Sequence, residues 1–220
     1  MERNVSLEEI SDGRLYSSND MVKTDCNGCE GCSKCCHGMG DSIVLDPFDV
    51  FRLCSGLDTT FEMLMSGAVR LNVVDGIVLP ALAMNGEEEA CTFLDKNGRC
   101  SIHQFRPGFC RMFPLGRIYE NGSFSYFLQV HECPYPGKTK VKVRKWIDTP
   151  DIKLYEKFVN DWHYYLKSFQ GIISTCDDER KLKDISMFVL KEFYIKLYDI
   201  KKTFFEQFDE RMENAVSMKW

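Results

Sequence analysis

Residues 25–40 read DCNGCEGCSKCCHGMG and put five cysteines into eleven positions, Cys26, Cys29, Cys32 and Cys35 at every third residue and Cys36 adjacent. A C-x-x-C step bends the backbone so that two sulfurs can converge on one ion. A segment this rich in thiols and glycines has little apolar surface of its own to bury, so whatever binds the thiols also holds the local fold. The first question is whether the sulfurs join each other or an inorganic centre.

The rest of the chain bears on that choice. The 220 residues include eleven cysteines, an odd number that is clustered rather than spread. The opening MERNVSLEEISDGR has no apolar run of signal-peptide type, and no stretch reaches the length of a membrane span. The expected location is therefore the reducing cytoplasm, where such spacings favour ligation over disulfide staples. With 44% apolar and 28% charged residues the chain is an ordinary globular one. A net charge of −5 argues against a nucleic-acid protein, which needs a basic face to neutralise phosphates. The one basic run, Lys138, Lys140, Lys142, Arg144 and Lys145, is read as a linker or a sheet edge kept from pairing by its lysines.

A second group of cysteines is dispersed among turn signals: Cys91, Cys100, Cys110 and Cys133. Successive C-x-x-C steps with a distant Cys-Pro, here Cys133-Pro134, have the form of a ferredoxin-type cluster loop. The pair Cys35-Cys36 complicates a single site, because adjacent side chains diverge in most backbone conformations. Two tetrahedral zinc sites would use eight thiolates and one four-iron cluster four, and the spacing leaves that count open.

Around these residues the sequence predicts turns and short strands, then helices. Asp46 and Pro47 mark the start of one helix after a short strand in DSIVL, and Thr59 with Glu62 has capping-box spacing for another running to Gly67. Asp75-Gly76, Asn97-Gly98 and Asn121-Gly122 each sit between apolar runs as hairpin signals. From Thr149, a candidate cap, and Pro150, apolar residues recur at helical spacing. Phe158, Trp162, Tyr165 and Phe169 mark a first helix, Leu182, Ile185, Val189 and Phe193 a second, and Phe205, Phe208, Met212 and Ala215 a third. The aromatic stripe is read as core rather than as a cavity lining. The expected fold is α+β, a small turn-rich antiparallel core carrying the cysteines and covered by C-terminal helices. Its parts are a lead over 1–25, a metal-binding region over 26–136, the basic linker or edge strand over 137–148, and a helical layer of the same domain over 149–220.

CEGCSKCC, followed by CTFLDKNGRCSIHQFRPGFCRMFP, resembles the YkgJ-like cysteine-cluster family, a zinc- or iron-chelating domain. IVLDPFDVFRL is also similar to the segment that follows the family's signature. The resemblance spans about residues 26–136. It implies metal ligation by Cys29, Cys32, Cys35, Cys36, Cys91, Cys100, Cys110 and Cys133. Cys26 adds one C-x-x-C step beyond the signature, leaving open whether it replaces an expected ligand. The resemblance also implies an enzyme relative, since flagellin lysine methylases carry a similar signature. No glycine-rich strand-to-helix turn for a nucleotide-like methyl donor is present in the sequence, and GMG at 38–40 is read as a tight turn.

The remaining candidates have plain readings beside the chemical ones. His37 and His131 stand near cysteines and could replace a thiolate or donate to one, and His163 belongs to the helical tail. Arg106 and Arg111 could hydrogen-bond a cluster sulfur or pin the loop through a salt bridge. Cys54 and Cys176 are read as small buried hydrophobes. The leading expectation is metal binding, with an iron-sulfur cluster favoured over zinc. The alternatives are a cluster-dependent protein-modifying or redox enzyme, with a protein as partner or substrate, and a thiol redox switch. Catalysis itself is left open by the residues.

Overall fold

The computed structural model of the protein describes residues 6–29, 32–175, 178–218 and 220, with Cys29 described by its backbone alone. The expectations for the Cys29 side chain and for Cys176 therefore lie outside the described residues. The fold is α+β, with antiparallel strands in small sheets and helices gathered toward the C-terminus, as the sequence predicts.

In chain order the elements begin with α1 (Leu7–Ile10), β1 (Ser11–Tyr16) and β2 (Met21–Asp25), followed by two 3-10 turns, Asn27–Cys29 and Lys34–Cys36. Next come α2 (Pro47–Leu57), α3 (Phe61–Met65), β3 (Val69–Val74), β4 (Ile77–Leu82), β5 (Met84–Asn85) and β6 (Ala90–Cys91). A 3-10 turn at His103–Phe105 leads into α4 (Gly108–Met112), then β7 (Leu115–Glu120), β8 (Ser123–Gln129) and β9 (Thr139–Lys142). The helices α5 (Val143–Ile147), α6 (Ile152–Ser168), α7 (Gln170–Thr175), α8 (Glu179–Leu190) and α9 (Phe204–Val216) complete the chain, with a π-helical turn at Lys191–Ile195 after α8. The sheets run β1-β8-β7, β2-β9, β3-β4 and β5-β6, every pair antiparallel.

Two of the three hairpin signals fold as written. Asp75-Gly76 and Asn121-Gly122 have positive φ at both positions and join β3 to β4 and β7 to β8. Asn97-Gly98 closes a turn with only a single bridge, Leu94 to Cys100. The Asp95 carboxylate accepts from Asn97 N–H and Arg99 N–H, both at 2.8 Å, so a side chain takes up donors that a ladder would use. DSIVL likewise pairs with β4 through one bridge, Val44 to Ala81, because Asp46 already caps α2.

The caps show where spacing misleads by a residue or two. Asp46 and Asp49 form a reciprocal capping box on α2, with Pro47 at its start. For α3 the cap is Thr60, whose hydroxyl accepts from Met63 N–H at 3.3 Å, and the helix stops at Met65. Thr59 is displaced from that role because its own N–H closes the end of α2 on Cys54 O at 3.0 Å. Thr149 does not cap α6 either, since its hydroxyl bonds the Arg111 guanidinium, and α6 starts at Ile152 after a left-handed Asp151.

The tail helices bury most of the residues that helical spacing picks out, while Leu182, Phe205 and Met212 are half-buried. Phe158, Trp162, Tyr165, Phe169, Ile185, Val189, Phe193, Phe208 and Ala215 are all buried. Phe48 of α2 reaches into this layer, its ring 5.0 Å from that of Phe204 and 5.2 Å from that of Phe205. The Tyr194 hydroxyl donates to Leu45 O at 2.9 Å, and the Ser186 hydroxyl accepts from Val78 N–H at 3.2 Å. One continuous core therefore joins the cysteine-bearing strands to the helices.

Candidate metal centre

Six cysteines from four separate segments line one cavity of about 50 Å³: Cys32, Cys35, Cys36, Cys91, Cys100 and Cys110. All six are thiols, with no disulfide among them. Local chemistry explains their convergence. The turn Lys34–Cys36 is closed by Cys36 N–H on Ser33 O at 2.8 Å, and it lets both neighbouring side chains face the cavity. The divergence expected of Cys35 and Cys36 does not occur, because a 3-10 turn rotates successive side chains far less than an extended chain does. His37 bridges to Ala90, and Gly38 N–H donates to Glu89 O at 3.1 Å, so the N-terminal knot is sewn to β6 beside Cys91. Cys100 follows the Asp95-centred turn, and Cys110 is carried by α4.

The placement of α4 depends on a buried acidic pair. Asp49 Oδ1 accepts Gly108 N–H at 2.6 Å while Asp46 Oδ1 accepts Asp49 N–H at 2.8 Å. Burial and then the neighbouring Asp49 charge push Asp46 up to about 8; burial raises Asp49 as well, against the pull of Arg111. Arg111 is buried on this side of α4, over the Tyr155 ring at 5.4 Å and bonded to Thr149. It therefore pins the loop, and of the two arginines in RPGFCR it is Arg106 that lines the thiol cavity. The sequence reading takes Asp46 as a helix cap and misses Asp49; the signal for the pair is one acid on each side of Pro47-Phe48.

The electrostatics of the cavity are uneven. A hydrogen bond from Cys36 lowers Cys35 to about 7, against burial and with help from the Arg106 charge. Cys36, which donates that bond, is raised by it and by burial. Burial also raises Cys91, Cys100 and Cys110. His103 and Arg99 line the cavity too, and His103 is lowered by burial and then by Arg106 and Arg99. The Arg106 Nε–H is buried and has no hydrogen-bond acceptor.

Other expected residues fall elsewhere. Cys133 does not line this cavity, and its carbonyl accepts from Lys138 Nζ at 2.7 Å. His37 and His131 are absent from the lining, Cys26 is buried outside it, and Cys54 is half-buried against the core. Among the described residues, no three His, Cys, Asp or Glu side chains are grouped closely enough to hold one metal ion. The donor set nevertheless fits a thiophilic metal group in kind: soft sulfur ligands in excess, a cavity too small for an organic cofactor, and a buried cationic N–H in need of an anionic acceptor.

Among the described residues, no helix is long and apolar enough to cross a membrane. No curated protein and no solved structure matches the chain. Residues 28–134, which carry all six cavity thiols, match the family model CxxCxxCC, described as "Putative zinc- or iron-chelating domain". In this chain the CxxCxxCC domain therefore spans residues 28–134, just under half of the sequence.

Proposed function

We propose that the thiol cavity holds a metal centre and takes an iron-sulfur cluster in preference to zinc. The observation that carries this reading is the number of thiols: six around one cavity, two more than a single tetrahedral ion can use. The sulfides of a multinuclear cluster would also supply acceptors for Arg106 Nε–H. The protein residues that would hold it are drawn from Cys32, Cys35, Cys36, Cys91, Cys100 and Cys110. Cys29 and Cys133 are the further candidates named by the family signature. When bound, such a group supplies a redox-active inorganic cross-link between the N-terminal knot, β6, the Asp95 turn and α4.

Zinc is the second reading, favoured by the part of the family description that names it. A methylase-like activity at this cavity has less support. Ligand pockets for organic molecules usually run to about 300–1,000 Å³, well above the 50 Å³ here. A reducing cytoplasm would keep the six thiols competent for ligation.

Anaerobic purification followed by elemental analysis and a visible spectrum tests the proposal. Brown protein with iron and acid-labile sulfide is the expected result. Colourless protein with stoichiometric zinc would replace the cluster by zinc. Metal-free protein that forms reversible disulfides would overturn metal binding in favour of a thiol switch.

A further inference from the structure

A second cavity, of about 440 Å³, lies between the β1–β8 side of the three-stranded sheet and α6, and shares no lining residue with the thiol cavity. Its size falls within the usual range for small-molecule sites, about 300–1,000 Å³. Tyr16 and Ser18 close it at the end of β1, Phe124 and Tyr126 face it from β8, and Glu156 and Asn160 face it from α6.

The polar groups of this cleft are incompletely satisfied. Tyr126 is only 1% exposed, and its hydroxyl stands beside the Glu156 carboxylate, which with burial raises the phenol. Asn160 spends its Nδ2 on Gly122 O at 3.0 Å, leaving Oδ1 buried without a donor. Glu156 has only neutral neighbours, Ser18 Oγ donating to it at 3.2 Å and the Tyr126 hydroxyl beside it, and forms no salt bridge among the described residues. The adjacent Lys157 does not neutralise it, because that ammonium is held by Asp161 at 2.9 Å and Asp209 at 2.7 Å. Arg117 lies over the Phe124 ring at 5.6 Å, and the Asp46–Asp49 pair and Tyr155 engage its charge.

We propose that this cleft binds a small organic ammonium ion, an alkylamine or diamine. The cleft offers a carboxylate and an amide oxygen as acceptors, and a guest with several N–H donors answers both. The rings of Tyr16, Phe124 and Tyr126 suit an alkyl stem and the face of a cation. A neutral polyol would fill the same hydrogen bonds but leave the Glu156 charge partly desolvated and unmatched. The inference is independent of which metal the thiols bind.

The test is calorimetric or NMR titration of the intact, metal-loaded protein with 1,5-diaminopentane, and with 1,5-pentanediol as its uncharged counterpart. The diamine is expected to saturate one site and the diol to show no binding at the same concentration. Glu156→Gln should weaken the diamine about tenfold or more, the loss of one charge-assisted hydrogen bond, with the melting curve unchanged. Equal binding of the diol, or full diamine affinity in Glu156→Gln, overturns the proposal, as does an intact protein that the diamine does not titrate.

Discussion

Cys36 donates its S–H to Cys35, so one of six thiols in the cavity is biased toward the thiolate while burial keeps most of its neighbours protonated. An incoming cation would meet one ready anion and would have to displace protons from the others. The cysteine signature was legible because its spacing is short-range chemistry. The different duties of Arg106 and Arg111 were not, because the turn into α4 decides which faces the sulfurs. Cys32→Ser should lose most of the bound metal, whereas Cys54→Ser, which alters a half-buried core contact outside the cavity, should keep it. Metal-to-protein ratios after gel filtration separate these outcomes, and a normal metal content in Cys32→Ser would remove that residue from the ligand set. Gly108 is equally constrained. A Cβ there would sit 2.3 Å from the Tyr155 hydroxyl, behind the N–H that Asp49 accepts. Gly108→Ala should cost about 1–3 kcal/mol by overpacking, read as a lowered urea midpoint with the slope unchanged.

At the scale of elements, the sequence announced which segments are helices and strands but placed their ends less well. Apolar periodicity located α6, α8 and α9 because burial of one face dominates each of them. Thr59 and Thr149 failed as caps because each is already engaged, by Cys54 O and by Arg111, in contacts no local pattern contains. The end of α8 was similarly hidden. There the chain passes through the π-helical turn, and a buried guanidinium from α9 gathers its loose carbonyls. Arg211 donates to Glu192 O at 2.6 Å, Lys196 O at 2.8 Å and Leu197 O at 2.7 Å, with its plane 3.6 Å from the Tyr198 ring centre. Those carbonyls have no intrahelical donor, so one side chain satisfies what the helix end leaves open. Arg211→Met should cost roughly 3 kcal/mol, given about 1.5–3 kcal/mol for a hydrogen bond to a charged group and incomplete additivity. Chemical denaturation measures it, and a loss below about 0.5 kcal/mol would show the carbonyls to be adequately served by water.

Across the whole molecule, two kinds of cohesion meet at α2 and α4. The tail is held by rings: Phe48 from α2 packs among Phe158, Phe204 and Phe205, a core that needs no metal. The cysteine side has turns and thiols, so metal removal should strip hydrogen-exchange protection from residues 32–38, 91–100 and 108–112 while α6 and α9 keep theirs. Uniform loss throughout would mean that the two sides unfold as one. Between them lies the Asp46–Asp49 pair, and its titration ties stability to pH. Asp46 stands at about 8 in the fold, against about 3.9 for an unfolded aspartate. Between those values the folded state binds more protons than the unfolded one. The stabilisation from this group is therefore complete below about pH 4 and is lost as pH rises through 8. Asp46→Asn removes the titrating proton yet keeps an oxygen to accept Asp49 N–H, so it should flatten the decline between about pH 4 and 8. Denaturant midpoints for the two proteins across that interval decide the matter: parallel curves would mean that Asp46 is ionised in the fold and that Arg111 and Arg117 outweigh its burial.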